Sequence, residues 1–115
     1  MPGDSFTVAA VVVAYRPDIE SLRLLVEALA PQVAHTTLVV NGPLEPETEA
    51  GLSGLDPSHT TRIGNARNVG LAAAQNQGIE VARQQCVDAV VFFDQDSLPP
   101  AGTVAALEHA WLERD

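Results

Sequence analysis

Residues 6–15 read FTVAAVVVAY, an almost unbroken run of apolar and β-branched side chains. A strand with one wet face would alternate apolar and polar residues. A continuous run needs cover on both faces, and the common solution is a parallel sheet flanked by helices. This one segment therefore predicts an α/β chain with a buried central strand.

The rest of the chain repeats the pattern. Pro17 stops the first strand and Asp18 is placed to cap a helix. In that helix Leu22, Leu25, Val26 and Leu29 recur at helical spacing and form one apolar stripe, which Pro31 ends. Residues 36–40 (TTLVV) predict a second strand, broken by Asn41, Gly42 and Pro43. The stretch 44–59 is acidic and carries a short helix near residues 47–52. Residues 60–63 predict a third strand. A turn-rich stretch follows, then an alanine-dense helix over 71–85. Residues 87–93 (VDAVVFF) predict a fourth strand that runs straight into Asp94, Gln95 and Asp96. After Pro99 and Pro100, residues 103–112 predict a closing helix with Val104, Leu107 and Trp111 on one face. Trp111 is expected in the core rather than as a sugar-stacking platform. The alternation calls for a mainly parallel, Rossmann-like sheet of about four strands with right-handed crossovers and helices on both faces.

Ligands on such sheets bind beyond the carboxyl ends of the strands. Those ends carry Ala14, Tyr15 and Arg16, then Asn41, then Asn65, Arg67 and Asn68, then Asp94, Gln95 and Asp96. Two carboxylates two residues apart oppose each other's ionisation unless a cation neutralises them. Mg²⁺ and Mn²⁺ are held through one or two carboxylates with phosphates completing the shell. The pair thus suits a metal set against a diphosphate. The same residues also suit a turn and cap before the closing helix. The block 68–78 (NVGLAAAQNQG) places small residues and a helix N-terminus, which favours phosphate, near Gln75 and Asn76. On physics alone it reads slightly more readily as an alanine-rich core helix with its polar residues in solvent.

Charge narrows the classes of ligand. Fifteen acidic residues against six arginines, with no lysine, give a formal net charge of −9 over 115 residues. Such a surface repels nucleic acid and anionic lipid. A phosphorylated ligand would need local help from a metal, a helix N-terminus or a placed arginine. Cys86 is the single cysteine. It excludes an internal disulfide and a CxxC zinc site, and is expected to be buried beside a helix. His35, His59 and His109 show no metal-ligand spacing and are expected at the surface. No signal-peptide pattern or membrane-length apolar run is visible, so a cytoplasmic location is expected.

In order and spacing, four pieces of the chain resemble the family-2 glycosyltransferases. They are VVVAYRPD, LRLLVEAL, NVGLAAAQNQGI and VVFFDQDSLPP. AAAQN and FDQDS are most similar to the bacterial rhamnosyltransferase branch. The resemblance implies the nucleotide-binding half of a GT-A fold, in one domain over residues 1–115. It implies a DxD motif in which Asp96 ligates Mn²⁺ or Mg²⁺ and Asp94 sits near the ribose and the metal's water shell. Ala14 and Tyr15 would line the base pocket, and Asn41, Asn68, Gln75 and Gln95 would belong to the nucleotide-sugar site. The implied donor is a nucleotide-diphospho-sugar, dTDP-rhamnose by the closest branch. The implied acceptor is a glycan or lipid-linked glycan in surface polysaccharide synthesis, at the inner face of the membrane for the full-length protein.

Two departures shape the expectation. Val40 stands where the family usually has an aspartate that contacts the base. Either Asn41 takes over that contact or base recognition is weaker or different. The family's catalytic base is expected beyond this chain, since Glu108, Glu113 and Asp115 fall on the closing helix. The chain is therefore expected to be an N-terminal fragment that is inactive alone, with an exposed sheet edge suited to homodimer formation. A non-catalytic nucleotide- or protein-binding module is the competing reading. A phospho-receiver-like domain is disfavoured, because the first strand lacks a following acidic pair and the chain has no lysine.

Overall fold

A computed structural model describes residues 6–113; Asp115 lies outside the described residues. Four strands, β1 (Val8–Ala14), β2 (His35–Asn41), β3 (Thr60–Asn65) and β4 (Ala89–Asp94), form one sheet in the order β3-β2-β1-β4. Every pairing is parallel. Helices α1 (Ile19–Leu29), α2 (Pro46–Leu52), α3 (Leu71–Gln84) and α4 (Thr103–Glu113) alternate with the strands. The Rossmann-like α/β arrangement expected from the alternation is the one the chain adopts.

The continuous apolar run is central, as its composition requires. Val8, Ala10, Val12 and Ala14 point to one face, where they meet Leu22, Leu25 and Leu29 of α1, Leu52 of α2 and Val104 of α4. Each fully buried leucine contributes about 2 kcal/mol of apolar transfer energy. The opposite face of β1 belongs to α3. A Cβ added at Gly78 would lie 2.4 Å from Val11 Cγ1, so only glycine lets the helix axis come this close. Ala74, Gly78 and Ala82 are the buried residues of that helix.

Local signals set the helix ends. The Asp18 carboxylate accepts from Ser21 N at 2.9 Å and caps α1. The C-terminus of α1 is tied to α4 by Gln32. Its Nε2 donates to Ala28 O (3.0 Å) and Pro100 O (3.1 Å), and its Oε1 accepts from Val104 N (3.0 Å). At the end of α3, Cys86 adopts φ 58° and is exposed, against the expectation of a buried thiol. It occupies the left-handed position that follows a helix, where the chain turns outward.

The β4 side is covered less than the β1–β2 side. Trp111 is 53% exposed and Leu107 49%. The expected apolar stripe of α4 exists but only Val104 is buried, because among the described residues β4 is an edge strand. Phe92 also remains exposed, since it lies on the α3 face at that edge. The histidines divide. His109 is exposed, but His35 and His59 are half-buried at the amino ends of the strands, with ring centroids 6.3 Å apart. His35 Nε2 lies 2.7 Å from Thr61 Oγ1, and His59 Nε2 lies 2.8 Å from Ala30 O. Burial, and then the neighbouring His59, hold the His35 pKa below its ordinary value.

Candidate functional site

The chain runs outward from β1 to β2 to β3, then returns through α3 to place β4 on the other side of β1. Strand order therefore reverses between β1 and β2 on one side and β4 on the other. Sheets of this kind bind ligands where adjacent connections leave in opposite directions, which here is at the carboxyl ends of β1 and β4.

Gln95 spans this point. Tyr15 N donates to Gln95 Oε1 at 2.6 Å, and Gln95 Nε2 donates to Tyr15 O at 3.2 Å. The side chain thus extends the β1–β4 ladder past its last partners, Val13 and Asp94. It fixes Tyr15 just before Arg16, whose φ of 48° is a left-handed value costly for a residue with a Cβ. The Arg16 guanidinium sits 5.2 Å from the centroid of the Tyr15 ring. The ring is 43% exposed and packs over Gly42, where an added Cβ would stand 3.6 Å from the tyrosine and 3.9 Å from Asn68 N. Tyr15, Gly42 and Asn68 therefore form one continuous rim.

Asn41 holds the other part of that rim. It is 2% exposed. Its Nδ2 donates to Asn68 Oδ1 (3.0 Å) and Gly70 O (3.3 Å). Its Oδ1 accepts from Val69 N (3.1 Å) and Asn65 Nδ2 (3.1 Å). Asn65 and Gln77 then exchange two bonds of 2.9 Å. The end of β2 is thereby laced to the β3–α3 loop and to α3. Gln77 gave no signal in the sequence, because a carboxamide on an alanine-rich helix looks like any solvated residue.

The other expected site residues fall as follows. Asp94 ends β4, and Asp96 follows in a turn closed by Ser97 N to Asp94 O at 3.0 Å. Both are exposed, and among the described residues neither carboxylate has a hydrogen-bond or ion-pair partner. Gln75 is half-buried on α3 and joins none of the other site residues. The Ala14 methyl is fully buried in the core, so only its backbone borders the crevice. Val40 is also in the core, 3% exposed, beside Ala14 in the β1–β2 register. A cavity of about 480 Å³ lies next to Tyr15, lined by Arg16, Pro17, Pro43, Leu44, Glu45 and Thr48. The acidic pair does not line it, so the cavity and the carboxylates are separate parts of the same strand-end surface.

The residues fit a divalent cation in one way only. Among the described residues no group of three or more histidine, cysteine or acidic side chains is placed to hold a metal. Asp94 and Asp96 supply hard oxygen donors without a competing protein cation. They fit Mg²⁺ or Mn²⁺ as partial ligands, with water and ligand phosphates completing the shell.

Comparison with known proteins agrees with this architecture. The profile described as Glycosyl transferase family 2 matches residues 10–114. The dTDP-rhamnosyl transferase RfbF of Shigella flexneri is 33% identical over 88 residues, covering 76% of this chain. The match covers 29% of that relative's length. With nearly its whole length matched, the chain belongs to glycosyl transferase family 2.

Proposed function

We propose that the chain binds a nucleoside-diphosphate sugar, dTDP-rhamnose, and that Asp94 and Asp96 would hold the Mn²⁺ or Mg²⁺ that accompanies its diphosphate. The observation that carries the reading is a carboxylate pair at the switch point, exposed and without a partner among the described residues. In a chain of net charge −9 an anionic ligand needs a cation at such a place. When bound, the metal neutralises charge developing on the leaving diphosphate. The chain's own residues bind and orient. The exposed Tyr15 ring offers a stacking face for a nucleobase, and the Asn68 side chain offers neutral donors to the phosphates.

The full-length protein would pass the sugar to a glycan or lipid-linked glycan acceptor, from the cytoplasm at the inner face of the membrane. Among the described residues no helix is long and apolar enough to cross a membrane. The outer edge of β4 also supports pairing between two copies, which sedimentation at rising concentration would read.

Calorimetric titration with dTDP and with UDP, each with and without Mn²⁺, tests the reading. It expects metal-dependent binding, a preference for dTDP, and loss of the metal dependence in Asp96→Asn. Equal binding with and without metal would remove the role given to the acidic pair. One observation favours a second reading, a non-catalytic nucleotide- or protein-binding module. Val40 is packed in the core, so position 40 offers no base contact. Indifference between dTDP and UDP would favour that module.

A further inference from the structure

We infer that Asn41 is a positioning residue that, together with the Gly70 amide, holds the Asn68 carboxamide with its NH₂ toward the ligand. The inference rests on the donor-site reading above. An amide side chain can point either its oxygen or its NH₂ outward, and the hydrogen-bond network decides. Here backbone groups, whose donor and acceptor roles are fixed, settle both residues. Gly70 N donates to Asn68 Oδ1 at 2.7 Å. Val69 N donates to Asn41 Oδ1, and Asn41 Nδ2 donates to Gly70 O. With its oxygen assigned this way, Asn41 must present Nδ2 to Asn68, and Asn68 must answer with Oδ1, at 3.0 Å.

The consequence lies in what remains. Asn68 Oδ1 already accepts two bonds, from Asn41 and from Gly70. Its Nδ2 has no protein partner among the described residues, and Asn68 is exposed. Two N–H donors are therefore presented at the rim, beside Tyr15 and Gly42. Asn41 itself has all four hydrogen-bonding positions filled and is buried, so it does not touch ligand. That resolves the alternatives at the end of β2: Asn41 does not replace the missing base contact. It orients a neutral donor toward an anion, in a chain whose net charge of −9 would otherwise repel one.

The test uses the whole chain and three substitutions. Asn68→Asp keeps an oxygen for Asn41 Nδ2 and Gly70 N but replaces the outward donors with an acceptor. Loss of a donor to a charged group is expected to weaken dTDP binding in Mn²⁺ about tenfold or more, with the melting temperature held. The loss should persist in about 0.5 M salt, where long-range repulsion is screened. Wild-type affinity in Asn68→Asp, or a loss abolished by salt, would overturn the donor assignment. Asn41→Ala is read by amide exchange, which needs no ligand. Protection at Gly70, whose amide bonds Asn68 and not Asn41, should fall while β1 stays protected, and Asn41→Gln, which keeps a carboxamide, should restore part of it. Retained protection at Gly70 in Asn41→Ala would overturn the positioning role. If the wild-type chain binds no dTDP at all, the donor-site reading fails and takes the Asn68 contact with it, while the exchange result still decides what Asn41 does.

Discussion

The two rims of the crevice are built on opposite principles. On the β2–β3 side, Asn41, Asn65, Asn68 and Gln77 are joined by side-chain hydrogen bonds and backed by the close approach of α3 to β1. On the β4 side, Asp94 and Asp96 project from an edge strand without partners among the described residues. Only Gln95, between them, is tied down, and it is tied to β1. The amide network holds together without a ligand and leaves only the Asn68 Nδ2 donors turned outward. The acidic rim, in the proposed donor site, is completed by a cation. Substitutions that break the amide network should cost stability, whereas changes to groups that face outward, Asn68 Nδ2 on the first rim and the carboxylates on the second, should cost binding.

The largest expected effect sits beneath the amide rim. Gly78→Ala forces a methyl into Val11 and should destabilise the chain by about 2–3 kcal/mol in chemical denaturation. Asn41→Ala comes next. It leaves buried groups without partners, and about 2 kcal/mol of lost stability is expected. Gln95→Ala releases both bonds to Tyr15 in a half-exposed place, where about 1 kcal/mol is expected. Asp96→Asn should leave metal-free stability within about 0.5 kcal/mol of the parent chain. A loss there as large as that of Asn41→Ala would erase the contrast between the rims.

The smallest effect lies away from the crevice, at the amino ends of the strands. The His35 pKa is depressed, so the fold favours the neutral ring. The resulting stability is present above the ordinary histidine value of 6.5 and is lost as pH falls through that value toward the folded one. A melting temperature that drops over this window in the parent chain, but less so in His35→Gln, would confirm that His35 is a source of mild acid sensitivity.

The parts of this molecule that were legible in the sequence were those governed by periodicity. The run around Val11 announced a strand covered twice, and the Leu22–Leu29 stripe announced the helix that covers it. Proline and glycine marked the breaks closely. Expectations failed where burial depends on what lies across the sheet. Trp111 shares a face with Val104, yet only one of them is buried, because the sheet ends at β4. The Cys86 side chain was expected inside, but a helix terminus required a left-handed residue there. The site was legible as a collection of polar strand ends and not as a network. Nothing in the spacing of Asn41, Asn65, Asn68 and Gln77 says that they bond to one another, because those partners meet only after the strands align.

In the proposed donor site, one ligand with its metal occupies both rims together. Paramagnetic line broadening by Mn²⁺, recorded on backbone amides with and without dTDP, measures this directly. With dTDP present, broadening should centre on residues 94–97, extend to Tyr15 and residues 68–71, and spare the His35–His59 end. Broadening centred instead on the acidic helix α2, at Glu47 and Glu49, and unchanged by dTDP, would contradict it.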